Sequence, residues 1–473
     1  MVFSSNVFLF LFLPLFLIVY YLLPFRWRSA WILAGSYALY SWWRVDFLWL
    51  LIVVTAVAYL YGLALDKQPD GSRRRWTLAS AIVLNLGALA YFKYANFGIE
   101  SFNAITQSFG LQPFAWTPIL LPIGLSFFVF HAISYIVDVY RREEPPTHNP
   151  LDFAAFIALF PHLIAGPVLK YNLLADQFRH RTHTLEKFSY GATRFMTGFA
   201  KKVLIADSIA PLVTASFHQS SPTFMDSWLG ALAYTLQLYF DFSGYSDMAI
   251  GLAAMMGFKF PENFNHPYIS RSITEFWRRW HMSLSSWLRE YLYISLGGNR
   301  RGRFRTYLNL WLTMVLGGLW HGANWTFVLW GAWHGSILAV ERRMKEAKLW
   351  QPSPAWLTIP GTMLLVIVGW VIFRADNVHD AFRMYRGMLG LNGFGLSDTL
   401  AWQVRPSVLW TMLLAAVLVY VAPLWGQRVG DVGSRLLRPA LAVGATVTLL
   451  PLFVLAIMKL SAQSYTPFLY FQF

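Results

Sequence analysis

The chain has no cysteine and few charged residues. None of its 473 residues is Cys, and Asp, Glu, Lys and Arg together make up only 13%. The lack of cysteine excludes disulfide bridges, thiolate metal sites and a cysteine nucleophile or acyl carrier. The scarcity of charge leaves too little polar surface to cover a water-soluble protein of this size. Any covalent chemistry must therefore use oxygen or imidazole.

Apolar and aromatic residues make up most of the chain. Hydrophobic residues account for 56% and aromatic residues for 18%, including 22 Trp, and the mean hydropathy is +0.45. Trp and Tyr combine an apolar body with a polar group, which suits membrane interfaces and apolar-walled cavities. This composition predicts a polytopic membrane protein.

Apolar stretches of nearly spanning length recur along the chain. A membrane helix needs about 17 to 25 apolar residues, and about eleven to thirteen segments approach that length. Several contain proline, glycine or charge, which is tolerated only where backbone is buried in protein or lines a cavity. We therefore expect re-entrant and amphipathic helices among them. The predicted segments are 7–23, 29–43, 47–65, 77–94, 118–139, 153–169, 188–217, 228–258, 306–320, 325–340, 355–373, 408–425 and 439–460.

The net charge of +15 comes from short basic clusters between these segments. This pattern is typical of cytoplasmic loops, so we expect membrane lipids rather than nucleic acid as the anionic partner. The stretch 95–117 contains no Lys or Arg, which places it and the N-terminus on the extracytoplasmic side if the helices alternate. Arg374, Arg383 and Arg386 fall on that side too, so we predict an amphipathic surface helix there, with Asp376 and Asp380 as acidic partners.

Two histidines lie among tryptophans, arginines and glycines, His281 within 276–303 and His321 within 317–325. Ionisable groups at membrane depth are costly, so they are usually functional, paired or both. A helix that begins at Thr306 would carry His321 about 22 Å inward at about 1.5 Å per residue, within a hydrocarbon core of about 30 Å. The alternative is a structural role for His321 at a helix end.

His281 lies in an amphipathic segment rather than a spanning one. Glu275 precedes Arg278 and Arg279 by three and four residues, which predicts ion pairs on one helix. Guanidinium groups match phosphate oxygens, so arginines near the cytoplasmic mouth could hold the phosphates of a ligand. Binding of anionic lipid headgroups is the equal alternative.

A third polar stretch, 236–251, contains Asp241, Tyr245 and Asp247. Asp241 and Tyr245 are four residues apart and share a helix face. These carboxylates could orient a histidine or hold a charged ligand. Salt bridges to Lys201, Lys202 or Arg278 are the structural alternative.

No metal site is expected. The remaining intramembrane histidines are His131, His162 and His334, and the chain has no HxH, HExxH or clustered carboxylate spacing. It also has no repeat of 20 to 50 residues and no linker long enough to separate two domains. We therefore expect a single integral membrane domain over 1–473.

Five long motifs carry a family resemblance: LLPIGLSFFVFHAISYIVDVYR, DFAAFIALFPHLIAGPVLKY, QLYFDFSGYSDMAIG, ITEFWRRWHMSLSSWLREYLYISLGGNR and LGGLWHGANWTFVLWGAWHG. The chain resembles the membrane-bound O-acyltransferase (MBOAT) family and, within it, the bacterial polysaccharide branch. The likeness begins at MVFSSNVFLFLFLPLF and closes at SYTPFLYFQF, so it covers essentially the whole chain, with a motif-bearing core at about 118–341.

The resemblance implies an all-α bundle around a central tunnel, with acetyl-CoA as cytoplasmic donor and the acceptor approaching from the other face. It makes His321 of the WHG motif the catalytic residue and His281 of the RRWH motif its companion. The phosphates of coenzyme A require a basic entrance to the tunnel. The residues expected to bind the donor there are Arg278, Arg279, Arg300 and Arg301, together with the neighbouring Trp280. Supporting polar residues would be Asp241, Tyr245, Asp247 and Asn324.

The function that follows is acetyl transfer across the bacterial inner membrane for O-acetylation of an exported polysaccharide, either alginate or cellulose. A periplasmic partner resembling SGNH hydrolases would place the acetyl group on the polymer. A buried neutral imidazole such as His321 could act as general base or accept the acetyl group covalently. The alternatives are a transferase for lipids or for D-alanine on teichoic acid, and a transporter with broken helices.

The predicted topology can be tested by cysteine labelling, because the chain has no cysteine of its own. We expect Ser101→Cys to react with a membrane-impermeant thiol reagent in intact cells and Ser72→Cys to remain unlabelled. The reverse pattern would put the basic loops on the wrong side for cytoplasmic acetyl-CoA and overturn the proposed direction of transfer.

Overall fold

The computed structural model describes residues 2–349, 353–432, 437–462 and 468–469. Over these ranges the chain forms helices and irregular segments without a β-strand, which confirms the expected all-α class. The α-helices are α1 (Leu13–Leu22), α2 (Phe25–Ser41), α3 (Asp46–Asp66), α4 (Ser72–Leu89), α5 (Ala95–Ser108), α6 (Leu125–Arg141), α7 (Pro150–Ala158), α8 (Phe160–Leu163), α9 (Tyr171–Arg179), α10 (Leu185–Ala200), α11 (Asp207–Phe217), α12 (Phe224–Met255), α13 (Ile273–Arg279), α14 (Met282–Trp287), α15 (Gly302–His321), α16 (Trp325–Glu346), α17 (Ala355–Arg374), α18 (Val378–Met388), α19 (Asp398–Ala401), α20 (Pro406–Val432) and α21 (Leu437–Ala462).

Short π-helical segments extend several of these helices. A π-helix has one more residue per hydrogen-bonded turn than an α-helix and is often found at functional sites. A 3₁₀ turn at Pro267–Ile269 completes the regular structure of the described residues. The π-helical segments are Phe8–Phe12, Ala90–Tyr94, Lys201–Ala206 and Leu288–Tyr293.

Three helical stretches are long and apolar enough to cross a membrane, judged by length and composition over the described residues: Asp46–Asp66, Ser72–Ser108 and Ala355–Arg374. The second is longer than expected, because α4 continues through a π-helical segment into α5, so that much of the predicted loop 95–117 is helical. Shorter apolar helices are Phe8–Leu22, Pro406–Val421 and Val447–Ala462.

The predicted segment 153–169 is broken rather than continuous. α7 ends at Ala158, Leu159 takes a non-helical conformation, and α8 lasts only from Phe160 to Leu163. Pro161 follows at the second position of α8, where a missing backbone N–H costs no hydrogen bond. An interrupted segment of this kind was expected among the predicted spans.

The chain divides into two compact units. The first comprises 1–191 and 252–261, and the second comprises 192–251 and 262–473. In the first unit α6 is buried at every position from Phe127 to Val139 and contacts α3 and α4, while α2 contacts α7. A helix that is apolar nearly all round belongs in such a central position.

In the second unit the antiparallel helices α15 and α16 pack closely against each other. His321 is the last residue of α15. Glycine makes the close approach possible: a Cβ on Gly318 would clash with the carbonyl oxygen of Phe327, and one on Gly331 with that of Met314. Backbones that approach this closely are typical of membrane helix pairs with small residues at the crossing.

The predicted amphipathic helix is present as α18. Asn377 caps it by accepting a hydrogen bond from the backbone N–H of Asp380 at 2.9 Å. Arg383 pairs with Asp380 at 2.8 Å and Arg374 with Asp376 at 3.2 Å. These contacts confirm the expected acidic partners.

Replacement of Gly331 by Ala tests the crossing of α15 and α16. We expect Gly331→Ala to destabilise the protein by about 1–3 kcal/mol, because the added methyl group must push two backbones apart. Gly361→Ala in α17 is the matched control, since no atom lies within 4 Å of its Cβ position. Melting in detergent gives the comparison, and equal melting temperatures for both variants would contradict the crossing.

Candidate active site

His321 is the last residue of α15. The helix ends there because Gly322 is extended, with φ −159° and ψ 151°. The imidazole is surrounded by aromatic rings, with centroids 5.2 Å away for Trp330 and 5.3 Å for Phe373. His321 is only 6% exposed. The predicted helix end and the predicted burial are therefore both present.

His281 lies in the turn between α13 and α14 and is fully buried. Its backbone has φ 44° and ψ 52°, the left-handed region that a non-glycine residue rarely adopts. Strained conformations of this kind persist only where the surrounding structure holds them, and they are enriched at active sites. The imidazole packs edge-on against Phe242, with ring centroids 4.6 Å apart.

The two histidines are neighbours although they are far apart in the sequence. Their ring centroids are 6.4 Å apart. His281 also lies 6.1 Å from the ring of Trp320. The end of α15 and the turn before α14 therefore bring both sequence-predicted histidines into one site.

A cavity of about 440 Å³ extends from this site, a volume within the range of small-molecule sites. His321 lines it together with three arginines, Arg278, Arg289 and Arg342. Arg342 donates hydrogen bonds to Glu346 at 2.9 Å and to Asn299 at 3.1 Å. Within the described residues, neither Arg278 nor Arg289 forms an ion pair.

The other residues of the predicted basic entrance lie elsewhere. Arg279 forms the predicted ion pair with Glu275, at 2.8 Å. Trp280 is buried in an aromatic cluster, 5.0 Å from the ring of Trp370. Arg300 and Arg301 are exposed and do not line the cavity. Of the five predicted donor-binding residues, Arg278 is the one that shares the cavity with His321.

Two carboxylates of α12, Asp241 and Asp247, form ion pairs, as the structural alternative predicted. Asp241 lies 2.7 Å from Lys202, which also contacts Asp207 at 2.6 Å. Asp247 contacts Arg194 and Lys201, each at 2.6 Å. These pairs give the buried Lys202, Asp241 and Asp247 an opposite charge each.

Tyr245 and Asn324 also have structural contacts. Tyr245 stacks on Phe468, with centroids 4.4 Å apart, and Asp241 accepts a hydrogen bond from the backbone N–H of Leu469 at 3.0 Å. The rest of the motif SYTPFLYFQF lies outside the described residues. Asn324 caps α16 by accepting a hydrogen bond from the backbone N–H of Thr326 at 3.1 Å.

A second cavity, of about 650 Å³, is lined by polar residues of α12 and by charged groups. The wall of this cavity includes two basic residues, two acidic residues and a histidine: Arg194, Lys201, Asp247, Glu262 and His266. Burial, with a smaller effect of Arg279 and Lys201, lowers the pKa of His266 below its usual range. Asn263 lines this cavity too and contacts His281 at 3.1 Å.

The remaining histidines occupy structural positions. In the first unit, His131 and His162 are buried with their ring nitrogens 3.3 Å apart. In the second unit, His334 accepts a hydrogen bond from the indole N–H of Trp277 at 3.4 Å. No group of three or more potential metal ligands comes together within the residues that the structure describes.

Sequence reasoning missed Arg289, Arg342 and Asn263. Arg289 lies in the same sequence motif as Arg278, in the helical segment that follows α14. This shared motif is the signal that could have indicated it. Arg342 belongs to one of the short basic clusters between the apolar segments, and these clusters were used only to predict which loops are cytoplasmic. Asn263 lies in an irregular segment, and no spacing rule connects it with His281.

Comparisons with known proteins identify relatives along the whole chain. The sequence profile described as "MBOAT, membrane-bound O-acyltransferase family" matches residues 9–375. A probable alginate O-acetylase of Azotobacter vinelandii is 56% identical over 100% of both chains. A peptidoglycan O-acetyltransferase of Helicobacter pylori is 36% identical over 84% of this chain and 81% of its own. A teichoic acid D-alanyltransferase of Bacillus subtilis is 28% identical over 63% of this chain and 83% of its own.

Proposed function

The chain belongs to the membrane-bound O-acyltransferase family, and on this premise we propose that it moves acetyl from cytoplasmic acetyl-CoA across the bacterial inner membrane for O-acetylation of an exported polysaccharide. Alginate is the proposed polymer, because a relative that matches over its full length is named a probable alginate O-acetylase. The final acceptor step belongs to a periplasmic partner resembling SGNH hydrolases. The N-terminus is periplasmic in this arrangement.

The observation that carries the proposal is the cavity shared by His321 and three arginines. Coenzyme A brings phosphate groups, which guanidinium groups bind through charge-assisted hydrogen bonds. The thioester must reach a group that can activate an oxygen nucleophile, and an imidazole does this. Arg278 and Arg289 form no ion pair within the described residues, so their charges are available for the donor.

In the proposed step, His321 takes the proton from a hydroxyl group of the acceptor while the hydroxyl oxygen attacks the thioester carbonyl. The new C–O bond forms, the C–S bond breaks, and the coenzyme A thiolate leaves and recovers the proton. In a second route the imidazole nitrogen attacks the thioester carbonyl, the C–S bond breaks and the coenzyme A thiolate leaves with the ring proton. The hydroxyl oxygen of the acceptor then takes the acetyl group from the ring, and its proton returns to the imidazole. His281 is the neighbouring imidazole in both routes.

The surroundings of His321 favour an uncharged acyl group. The rings of Trp330 and Phe373 lie within 5.3 Å of its ring and give the imidazole an apolar aromatic environment. An acetyl group has no charge to bury in this aromatic environment, unlike the ammonium group of D-alanine. Acetyl transfer is therefore preferred over D-alanyl transfer.

Replacement of each histidine tests their roles. We expect His321→Ala to reduce acetylation of alginate to background, because the base or carrier is lost. His281→Ala should cause a severe but incomplete loss, since water can partly replace a polarising group. The exposed His218 offers a matched control, and His218→Ala should keep normal activity. The readout is the acetyl ester content of alginate, and of cellulose, at equal protein levels in the membrane.

Normal acetylation of either polymer by a well-expressed His321→Ala variant would refute the mechanism. A larger defect for His281→Ala than for His321→Ala would reverse the assigned roles. Acetylation of cellulose but not alginate would replace the proposed polymer and leave the chemistry intact.

Replacement of Arg278 and of its neighbour Arg279 tests which of the two arginines binds the donor. We expect Arg278→Ala to raise the KM for acetyl-CoA about tenfold, the effect of losing one charge-assisted hydrogen bond. Arg279→Ala should change KM less, because Arg279 is paired with Glu275. Arg386→Ala on α18 is the control for loss of one positive charge. An unchanged KM in Arg278→Ala would remove this arginine from the donor site.

A further inference from the structure

The side chain of Asn263 connects His281 with three other polar groups. Its Oδ1 lies 3.1 Å from Nδ1 of His281, 2.8 Å from the hydroxyl of Ser283 and 3.3 Å from the backbone N–H of Ser283. Its Nδ2 donates to the hydroxyl of Ser246 at 3.0 Å. Asn263 is 1% exposed, so these contacts are made away from water.

The backbone of the same segment holds the turn on both sides of His281. The N–H of Met282 donates to the carbonyl of Asn263 at 2.9 Å, and the N–H of Asn265 donates to the carbonyl of Arg279 at 2.9 Å. These bonds flank the left-handed residue at Arg279, two residues before it, and at Met282, the residue after it. They account for the persistence of a backbone conformation that costs a non-glycine residue about 1–3 kcal/mol.

The contacts also determine which way the amide of Asn263 points. A backbone N–H can only donate, so the atom that accepts from Ser283 must be the amide oxygen. The amide nitrogen then faces Ser246, whose hydroxyl oxygen can accept. A flipped amide would bring the amide NH₂ of Asn263 against the N–H of Ser283, donor against donor.

The orientation of the amide fixes the proton on His281. An amide oxygen only accepts, so Nδ1 of His281 must carry the hydrogen in its bond to Asn263. In the neutral ring the lone pair is then on Nε2. The geometry points to Asn263 as the positioning residue of His281, one that holds the imidazole as the Nδ1–H tautomer and presents the Nε2 lone pair to the reaction. The tautomer follows from the hydrogen bonds alone, whereas its effect on catalysis rests on the proposed acetyl transfer.

The assignment predicts an effect on turnover rather than on donor affinity. Asn263 does not line the 440 Å³ cavity that contains His321 and Arg278. It lines the separate 650 Å³ cavity. A change at Asn263 therefore leaves the lining of the 440 Å³ cavity in place and acts on His281, Ser283 and Ser246.

The first experiment measures the tautomer directly and needs no activity. The protein is labelled with ¹⁵N-histidine, and the ring signals of His281 are identified as those that disappear in His281→Gln. Coupling to the ring protons distinguishes the two nitrogens, because Nε2 couples to both carbon-bound protons. We expect the protonated nitrogen of the neutral ring to be Nδ1. A proton on Nε2 would overturn the assignment.

The second experiment compares two replacements of Asn263 in acetyl transfer from acetyl-CoA. We expect Asn263→Ala to lower kcat about 10- to 100-fold, as for other residues that orient a histidine, with KM for acetyl-CoA unchanged. Asn263→Asp keeps an oxygen that accepts from His281 and Ser283, so it should recover part of kcat. The buried Asn85, whose side chain donates to the carbonyl of Ala81 at 2.9 Å, gives the control Asn85→Ala with normal kcat.

The outcomes separate this role from the proposed function. If the wild-type protein transfers no acetyl group from acetyl-CoA, the proposed function fails, while the tautomer measurement still decides the assignment. With an active wild type, an unchanged kcat in Asn263→Ala contradicts the positioning role. Equal losses in Asn263→Ala and Asn263→Asp also contradict it, because the accepting oxygen would then be irrelevant.

Discussion

The need to satisfy buried polar groups inside an apolar protein governs this structure. Lys202 is 2% exposed and lies between two carboxylates, Asp207 at 2.6 Å and Asp241 at 2.7 Å. Removing one partner of such a group leaves a buried charge, at a cost of about 3–5 kcal/mol. Asp241 lies on α12, and so does Ser246, which accepts from Asn263. One long helix therefore connects the buried ion pairs with the segment that holds His281.

The same constraint explains why aromatic rings surround the two histidines. Aromatic side chains exclude water without introducing further polar atoms into the centre of the site, and their edges pack well against an imidazole. Phe242 contacts His281, and Phe373 contacts His321. Three arginines, Arg278, Arg289 and Arg342, line the cavity that extends from His321.

Sequence reasoning reached the features that depend on local spacing or on the cost of burial. The Glu275–Arg279 pair follows from helical periodicity, and the pairing of His281 with His321 was implied by the resemblance. The lining of the 440 Å³ cavity was predicted only in part: Arg289 and Arg342 line it, whereas Arg300 and Arg301 do not. The packing of α13, α15 and α16 determines which arginines line the cavity. Residue spacing within one segment cannot predict how separate helices pack. Asn263 was missed for the same reason.

Both histidines lie where a helix is interrupted, and this placement has a chemical consequence. A side chain within a helix is surrounded by its own turn, whereas the end of α15 and the turn before α14 let each ring leave the helix surface. The carbonyl groups at the C-terminal end of a helix carry partial negative charge, which stabilises a cation nearby. His321 is at that end of the 20-residue helix α15. A positive charge on the imidazole would be stabilised there by the fold itself, which suits His321 to the proposed role of base more than His281.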